Sequence, residues 1–143
     1  MNEQVTGRLL RATVLVIALV HLTLGILGFF FLPEANQPGE NTVWLFSATG
    51  MLNIIRALIG VLGIVAVLKP SAIYGYCWMT FLALAGLTAF GVFSAATSSA
   101  GDAVNFNWAD NVLHALTSVS ALVAGIVLAS PSTRKNLGRR AGV

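Results

Sequence analysis

Histidine, asparagine, arginine and aspartate occur at six positions inside long apolar runs: His21, Asn53, Arg56, Asp110, Asn111 and His114. Arg56 is the sharpest of them. It interrupts the run Val43–Leu68 near its middle, about 18 Å from the nearer charged end by helix rise. An arginine at that depth of a bilayer costs roughly 2.5–3.5 kcal/mol on insertion scales, so it has to face protein and find acceptors. Asp110 and Asn111 at the start of the last apolar run are the best acceptors, and Asn53, one turn back, is a third. Asp110 is expected about 10 Å further along the bundle axis, a gap that an extended guanidinium covers in large part. Two chemistries follow. The residues contact a small ligand or ion, or they form an internal Arg–Asp or Arg–Asn clamp that fixes helix register. The clamp is favoured, because buried polar groups often set specificity without doing chemistry.

The two histidines raise the question of a metal. Histidines on different helices can ligate one haem iron. Counted from the inner ends of their apolar runs, His21 and His114 differ in depth by about 9 Å, which argues against a shared iron. Two histidines and one carboxylate are also a thin ligand set for another metal. A hydrogen-bond network is therefore expected, with no cofactor and no metal. Cys77 is the single cysteine, which rules out an intrachain disulfide and a multi-cysteine metal site. It has no charged partner in sequence and is expected to be unreactive. No Gly-x-Ser-x-Gly elbow, phosphate-cradling loop or metalloprotease pattern occurs, so no catalytic residue is assigned.

The elements that must position these residues are apolar helices. The 143 residues are 57% hydrophobic and only 9% charged, too few charges to cover a water-facing surface. Four runs, 12–32, 43–68, 72–97 and 109–129, each reach the roughly 20 residues that span a bilayer core as a helix. Spanning strands are excluded, because four cannot close a barrel and would leave backbone groups unpaired in lipid. The first run is too long for a signal-peptide core and no small-x-small cleavage site follows, so it reads as a retained span. The expectation is one all-α unit, a polytopic membrane four-helix bundle over residues 1–143, with 130–143 a basic tail.

Charge sets the orientation. Arg8 and Arg11 precede the first run, Lys69 lies beside Pro70 between the second and third, and Arg134, Lys135, Arg139 and Arg140 follow the fourth. The other two loops hold Glu34, Glu40 and Asp102 and no Lys or Arg. Basic loops stay cytoplasmic, which predicts a multi-pass plasma-membrane protein with both termini inside. The net charge of +3 does not indicate nucleic acid, since seven of the eight basic residues flank apolar runs and none is interleaved with a stacking aromatic. Pro33, Pro38-Gly39 and the segment Ser98 to Asp102 break the chain in the outer loops. Trp108 suits headgroup depth, Asp110 or Asn111 is placed to cap the fourth helix, and Pro131 ends it. The basic tail serves as a topology anchor, with attraction to anionic lipid a compatible role.

Three runs share a spacing of three, four and three. Ala18, His21, Gly25 and Gly28 follow it, as do Asn53, Arg56, Gly60 and Gly63, and Asn111, His114, Ser118 and Ala121. Each set lines one helix face, polar at one end and small at the other. Gly25, Gly28, Gly60, Gly63, Ser118 and Ala121 are thus expected at close helix–helix contacts of a left-handed bundle. A shift of 58 positions brings Asn53, Ala57, Leu58, Val61, Val65 and Ala66 onto identical residues of the fourth run, and Gly28 onto Gly86. This suggests two tandem helical hairpins, although any two apolar helices share Ala, Leu and Val.

These residues carry a resemblance. The stretch His21-Leu-Thr-Leu-Gly25-Ile-Leu-Gly28-Phe29, then Asn53-Ile-Ile-Arg56 with Gly60-Val-Leu-Gly63, then Asp110-Asn111-Val-Leu-His114 resemble the helix motifs of domain of unknown function 4383. The resemblance implies a small four-helix membrane protein of a mainly actinobacterial family without an established activity. It also implies a histidine where this chain has Arg56, which speaks against a three-histidine ligand set. The functional expectation is a structural or accessory component of a membrane assembly. Its partners would be the lipid bilayer and a second copy or a larger membrane complex. The alternative is a binder or carrier of a lipid, quinone or anion around the Arg/His/Asn cluster, and a membrane enzyme ranks last.

Overall fold

The computed structural model describes residues 3–31, 42–97 and 107–129. The expected turns at Pro33, Pro38-Gly39 and Ser98–Asp102, the stop at Pro131 and the basic tail lie outside the described residues. Four helices form: α1 Glu3–Phe30, α2 Gly50–Leu68, α3 Ile73–Thr97 and α4 Trp108–Ala129. All four are long and apolar enough to cross a membrane. The chain is thus all-α in its main body and, by length and composition, a multi-pass membrane protein.

Two boundaries differ from the apolar runs. α1 starts at Glu3 rather than near Ala12, because Arg8 and Arg11 end the apolar run without ending the helix. At the other boundary, the stretch expected to open the second helix is a β-hairpin. β1 (Thr42–Val43) pairs antiparallel with β2 (Phe46–Ser47), with Val43 opposite Phe46. Trp44 in its turn has φ 56°, a left-handed conformation unusual for a side chain of this size. α2 begins only after Thr49, whose hydroxyl accepts from the Leu52 amide. Between α2 and α3 a single 3-10 turn, Pro70–Ala72, reverses the chain, with the Ala72 amide bonded to the Lys69 carbonyl at 2.8 Å.

Packing is dominated by two antiparallel pairs, α1 with α2 and α3 with α4. Glycine allows the first pair to close. A Cβ at Gly25 would lie 2.6 Å from the Ala57 amide nitrogen, and one at Gly60 would lie 2.5 Å from Leu22 Cβ and 2.7 Å from its Cα. Lower down, a Cβ at Gly63 would meet Ala18 and Tyr76 at 2.7 Å. In the second pair the Ser118 hydroxyl donates to the Phe81 carbonyl at 3.1 Å, and Ala121 is buried. The apolar core, which includes Leu10, Val14, Ile59, Ile73, Tyr76 and Leu84, fills the end nearer the helix-two-to-three turn. Leu58, Leu82, Leu116 and Val119 point outward, as lipid-facing residues do. All twelve residues of the three spaced stripes are buried.

Candidate functional site

The polar residues gather at the hairpin end of the bundle. Arg56 is 1% exposed and Asp110 is fully buried. Arg56 Nη2 forms an ion pair with Asp110 Oδ1, and Nη1 donates to the Ser47 carbonyl at 2.6 Å. The other carboxylate oxygen of Asp110 accepts from the Ser47 amide at 3.2 Å and the Asn107 amide at 3.1 Å. The Phe46 ring covers the guanidinium, 5.8 Å from its carbon. Thus α2, α4 and the hairpin meet on one neutralised pair of charges. The geometry is that of a clamp, in which Arg56, the Ser47 amide and the Asn107 amide all bond the Asp110 carboxylate. Breaking such a pair by deleting one partner is costly, since it strands the other charge in a low-dielectric interior.

Asn107 explains how Asp110 is aimed. It precedes α4, and its side-chain oxygen accepts from the Asp110 amide at 3.0 Å while Asp110 accepts from the Asn107 amide. This reciprocal arrangement closes the helix N-terminus as a capping box does. The cap is therefore Asn107, three residues upstream of Asp110 and four upstream of Asn111, the two positions expected to cap. Its Nδ2 also donates to the Leu45 carbonyl at 2.8 Å, which ties the hairpin turn to α4. Asn107, Ser47 and Phe46 are the residues that sequence reasoning missed. The Asn-x-x-Asp spacing before an apolar run was the available signal for the first. Ser47 acts through its backbone, which side-chain chemistry does not reveal.

The remaining candidates are buried in the interior around the clamp. His21, Asn53, Asn111 and His114 are 0%, 0%, 3% and 0% exposed. The rings of His21 and His114 stack, with centroids 6.5 Å apart and planes at 26°. The depth offset expected from the apolar runs does not hold. α1 extends below its apolar run, so the ends of the two runs are not level. His21 Nδ1 lies 3.0 Å from the Ile17 carbonyl. A carbonyl only accepts, so this nitrogen carries the proton. Asn53 faces α1, since a Cβ at Gly28 would overlap its carboxamide. His21 Nε2, Arg56 Nε and both polar atoms of Asn53 and Asn111 are buried with no hydrogen bond to the protein. Each such atom costs about 1–3 kcal/mol when left unsatisfied.

Two other features stand apart. Cys77 is a buried free thiol packed in the apolar core. A groove of about 390 Å³ between α1 and α4, lined by Leu9, Leu10, Thr13, Val119 and Val123 among others, includes none of the six polar residues. Among the described residues no group of three or more His, Cys, Asp and Glu side chains is placed to hold a metal ion.

No curated protein and no solved structure matches the chain. The profile of "Domain of unknown function (DUF4383)" matches residues 11–127, which takes in the three polar stripes, the clamp and most of every helix. With that match over most of its length, the chain belongs to the family of domain of unknown function 4383.

Proposed function

We propose that the protein is a structural or accessory component of a plasma-membrane assembly, anchored by four spans with both termini in the cytoplasm. The observation that carries this reading is the Arg56–Asp110 pair, 1% and 0% exposed and held by Ser47 and Asn107 from within the chain. A site evolved to seize a charged ligand would leave one charge free, whereas this one is neutralised and covered by Phe46. Its effect is to lock the hairpin onto α2 and α4 and to hold one end of the bundle rigid. Among the described residues the outward faces are mostly apolar, which suits lipid and a second membrane protein equally.

Orientation follows from charge. Antiparallel packing of α1 and α2 puts Arg11 and Lys69 at one end and the hairpin at the other, in keeping with a basic cytoplasmic side. A tandem origin of the two hairpins has support in the helix pairing. The Gly60–Leu22 approach in the first pair falls, after the 58-residue shift, one residue from the Ser118–Phe81 bond in the second. The counterpart of Gly28 departs from this, since a Cβ at Gly86 would meet nothing within 4 Å.

The test is extraction of the full chain from native membranes in mild detergent, with identification of bound proteins and lipids. The expected result is a particle larger than the monomer, containing a second copy or a reproducible partner. Recovery of a strict monomer that retains no protein would refute the accessory role. The reading as a binder or carrier of a small ligand keeps one supporting observation, the unsatisfied polar atoms around the clamp. An anion fits that place poorly, because Asp110 already balances Arg56.

A further inference from the structure

The tip of the hairpin holds a conformation that contacts within the chain do not explain. Val43 opposite Phe46 leaves Trp44 and Leu45 as a two-residue loop. Among the described residues other than glycine, Trp44 alone has a positive φ, 56°. That is the pattern of a type II′ turn, whose first loop position ordinarily holds glycine. Here the bulkiest side chain stands there, 81% exposed. Trp44 meets the edge of Phe46 at 6.1 Å, which leaves most of the indole uncovered. Strain kept at an exposed position points to a partner outside the chain.

The surroundings of the tip say what that partner is. Asn107 Nδ2 donates to the Leu45 carbonyl at 2.8 Å, so Trp44 and Trp108 adjoin the two ends of one bond and stand at about the same height. Trp108 is exposed too, as are Phe30 of α1 and Phe93 of α3 in the same half of the bundle. By the Lys69 turn, at the other end, Tyr74 and Trp78 are half-buried and Tyr76 is buried. The exposed rings thus come from three helices and the hairpin, whereas a docked protein would call for them on one side. A medium that surrounds the bundle fits this distribution. Two needs set its depth. The indole N–H and the hairpin backbone groups outside the ladder require polar partners, which hydrocarbon lacks. The Trp44 ring and the exposed Leu45 side chain gain nothing from bulk water. The headgroup and carbonyl layer of a bilayer meets both needs, and tryptophan concentrates there.

We propose that the hairpin tip is a lipid-docking element, with Trp44 and Leu45 seated beside Trp108 in the phospholipid headgroup layer at this end of the bundle. The tip continues the lipid-facing surface of the helices. Ser47 bonds both Arg56 and Asp110, and Leu45 is tied to Asn107, so the docked tip holds the clamp at a fixed depth. The layer is hydrated, and the turn stays within reach of water-soluble reagents. The inference rests on the four spans and is the same whichever leaflet the hairpin faces.

The test uses the full chain carrying Trp78→Phe and Trp108→Phe, which leaves Trp44 as its one tryptophan, in phosphatidylcholine vesicles. Phospholipids brominated near the carbonyl end or near the tail end of the acyl chain quench its fluorescence according to depth. The expected result is emission blue-shifted from free tryptophan, quenched about twofold or more better by the shallow bromines than by the deep ones. Equal or stronger quenching by the deep bromines would overturn the headgroup depth. Emission like that of free tryptophan, quenched by aqueous iodide and by neither bromolipid, would overturn docking altogether. Protection from iodide and from both bromolipids would also overturn it, because protein would then cover the tip. Subtracting Trp44→Phe from the unaltered chain yields the same quantity with Trp78 and Trp108 in place, so the result does not hang on one variant. Leu116→Trp, exposed in the middle of α4, serves as a reporter in a chain whose other tryptophans are Phe. It should be quenched best by the deep bromines. That outcome with a water-exposed Trp44 would overturn docking and leave the spans standing. None of these readings depends on whether a protein partner co-purifies.

Discussion

Replacing Asp110 with Ala probes the clamp at its centre. The substitution removes the ion pair to Arg56, the acceptor for the Ser47 amide and the acceptor for the Asn107 amide in one step. Arg56, 1% exposed, is left with the Ser47 carbonyl and the face of Phe46. Stranding one partner of a buried pair costs about 3–5 kcal/mol, and loss of half the capping arrangement adds about 1 kcal/mol. Against a total stability of about 5–15 kcal/mol, that is a large share. At about 3 °C per kcal/mol for a domain of this size, the melting temperature should fall by roughly 12–18 °C. The assay is thermal aggregation of detergent-solubilised protein followed by size-exclusion chromatography. The double-mutant cycle is the decisive part. Arg56→Met alone should cost a similar amount, while Arg56→Met with Asp110→Leu should be milder than the sum by about 1.5 kcal/mol or more. Single changes that each cost under about 0.5 kcal/mol, or costs that simply add, would refute the clamp.

Four further outcomes are expected from the same assay. Gly60→Ala should destabilise by about 1–3 kcal/mol, because the new methyl meets Leu22 backbone at 2.7 Å. Gly86→Ala, with open space around it, should be neutral or stabilising by up to about 1 kcal/mol through helix propensity. Asn107→Ala should cost about 1–2 kcal/mol through loss of the cap and of the bond to Leu45, with faster proteolysis or hydrogen exchange in the hairpin as a second readout. Trp44 is 81% exposed with a left-handed backbone. Trp44→Val should therefore be less stable than Trp44→Gly by about 1 kcal/mol, as a β-branched residue resists that conformation. Equal stabilities would show that the turn relaxes.

The parts of this fold readable from sequence are those governed by side-chain periodicity. His21, Gly25 and Gly28 fall on one face because helix geometry permits nothing else, and the same holds for the two related stripes. Arg56 in an apolar run announces a buried acceptor, and Asp110 was a short list of one carboxylate. The β-hairpin was hidden for a physical reason. Val43–Phe46 is apolar and lies just ahead of the apolar helix, and a run of apolar residues carries no record of backbone conformation. Its aromatic and β-branched content was the faint signal. The stacking of His21 on His114 was missed because depth was counted from Ala12, where apolarity begins, whereas the helix begins at Glu3. Asn107 was overlooked in favour of the charged residue it serves. Its role depends on the α4 N-terminus and on the hairpin turn at Leu45, which the apolar pattern does not record.

The central claim is a chain that crosses the bilayer with the hairpin on one side and the Lys69 turn on the other. It is tested most directly by labelling single cysteines in intact cells with a membrane-impermeant thiol reagent, in a Cys77→Ser background that removes the native buried thiol. Trp44→Cys should react from outside, and Lys69→Cys should react only after the membrane is permeabilised. Labelling of Lys69→Cys in sealed cells, or protection of Trp44→Cys there, would contradict it.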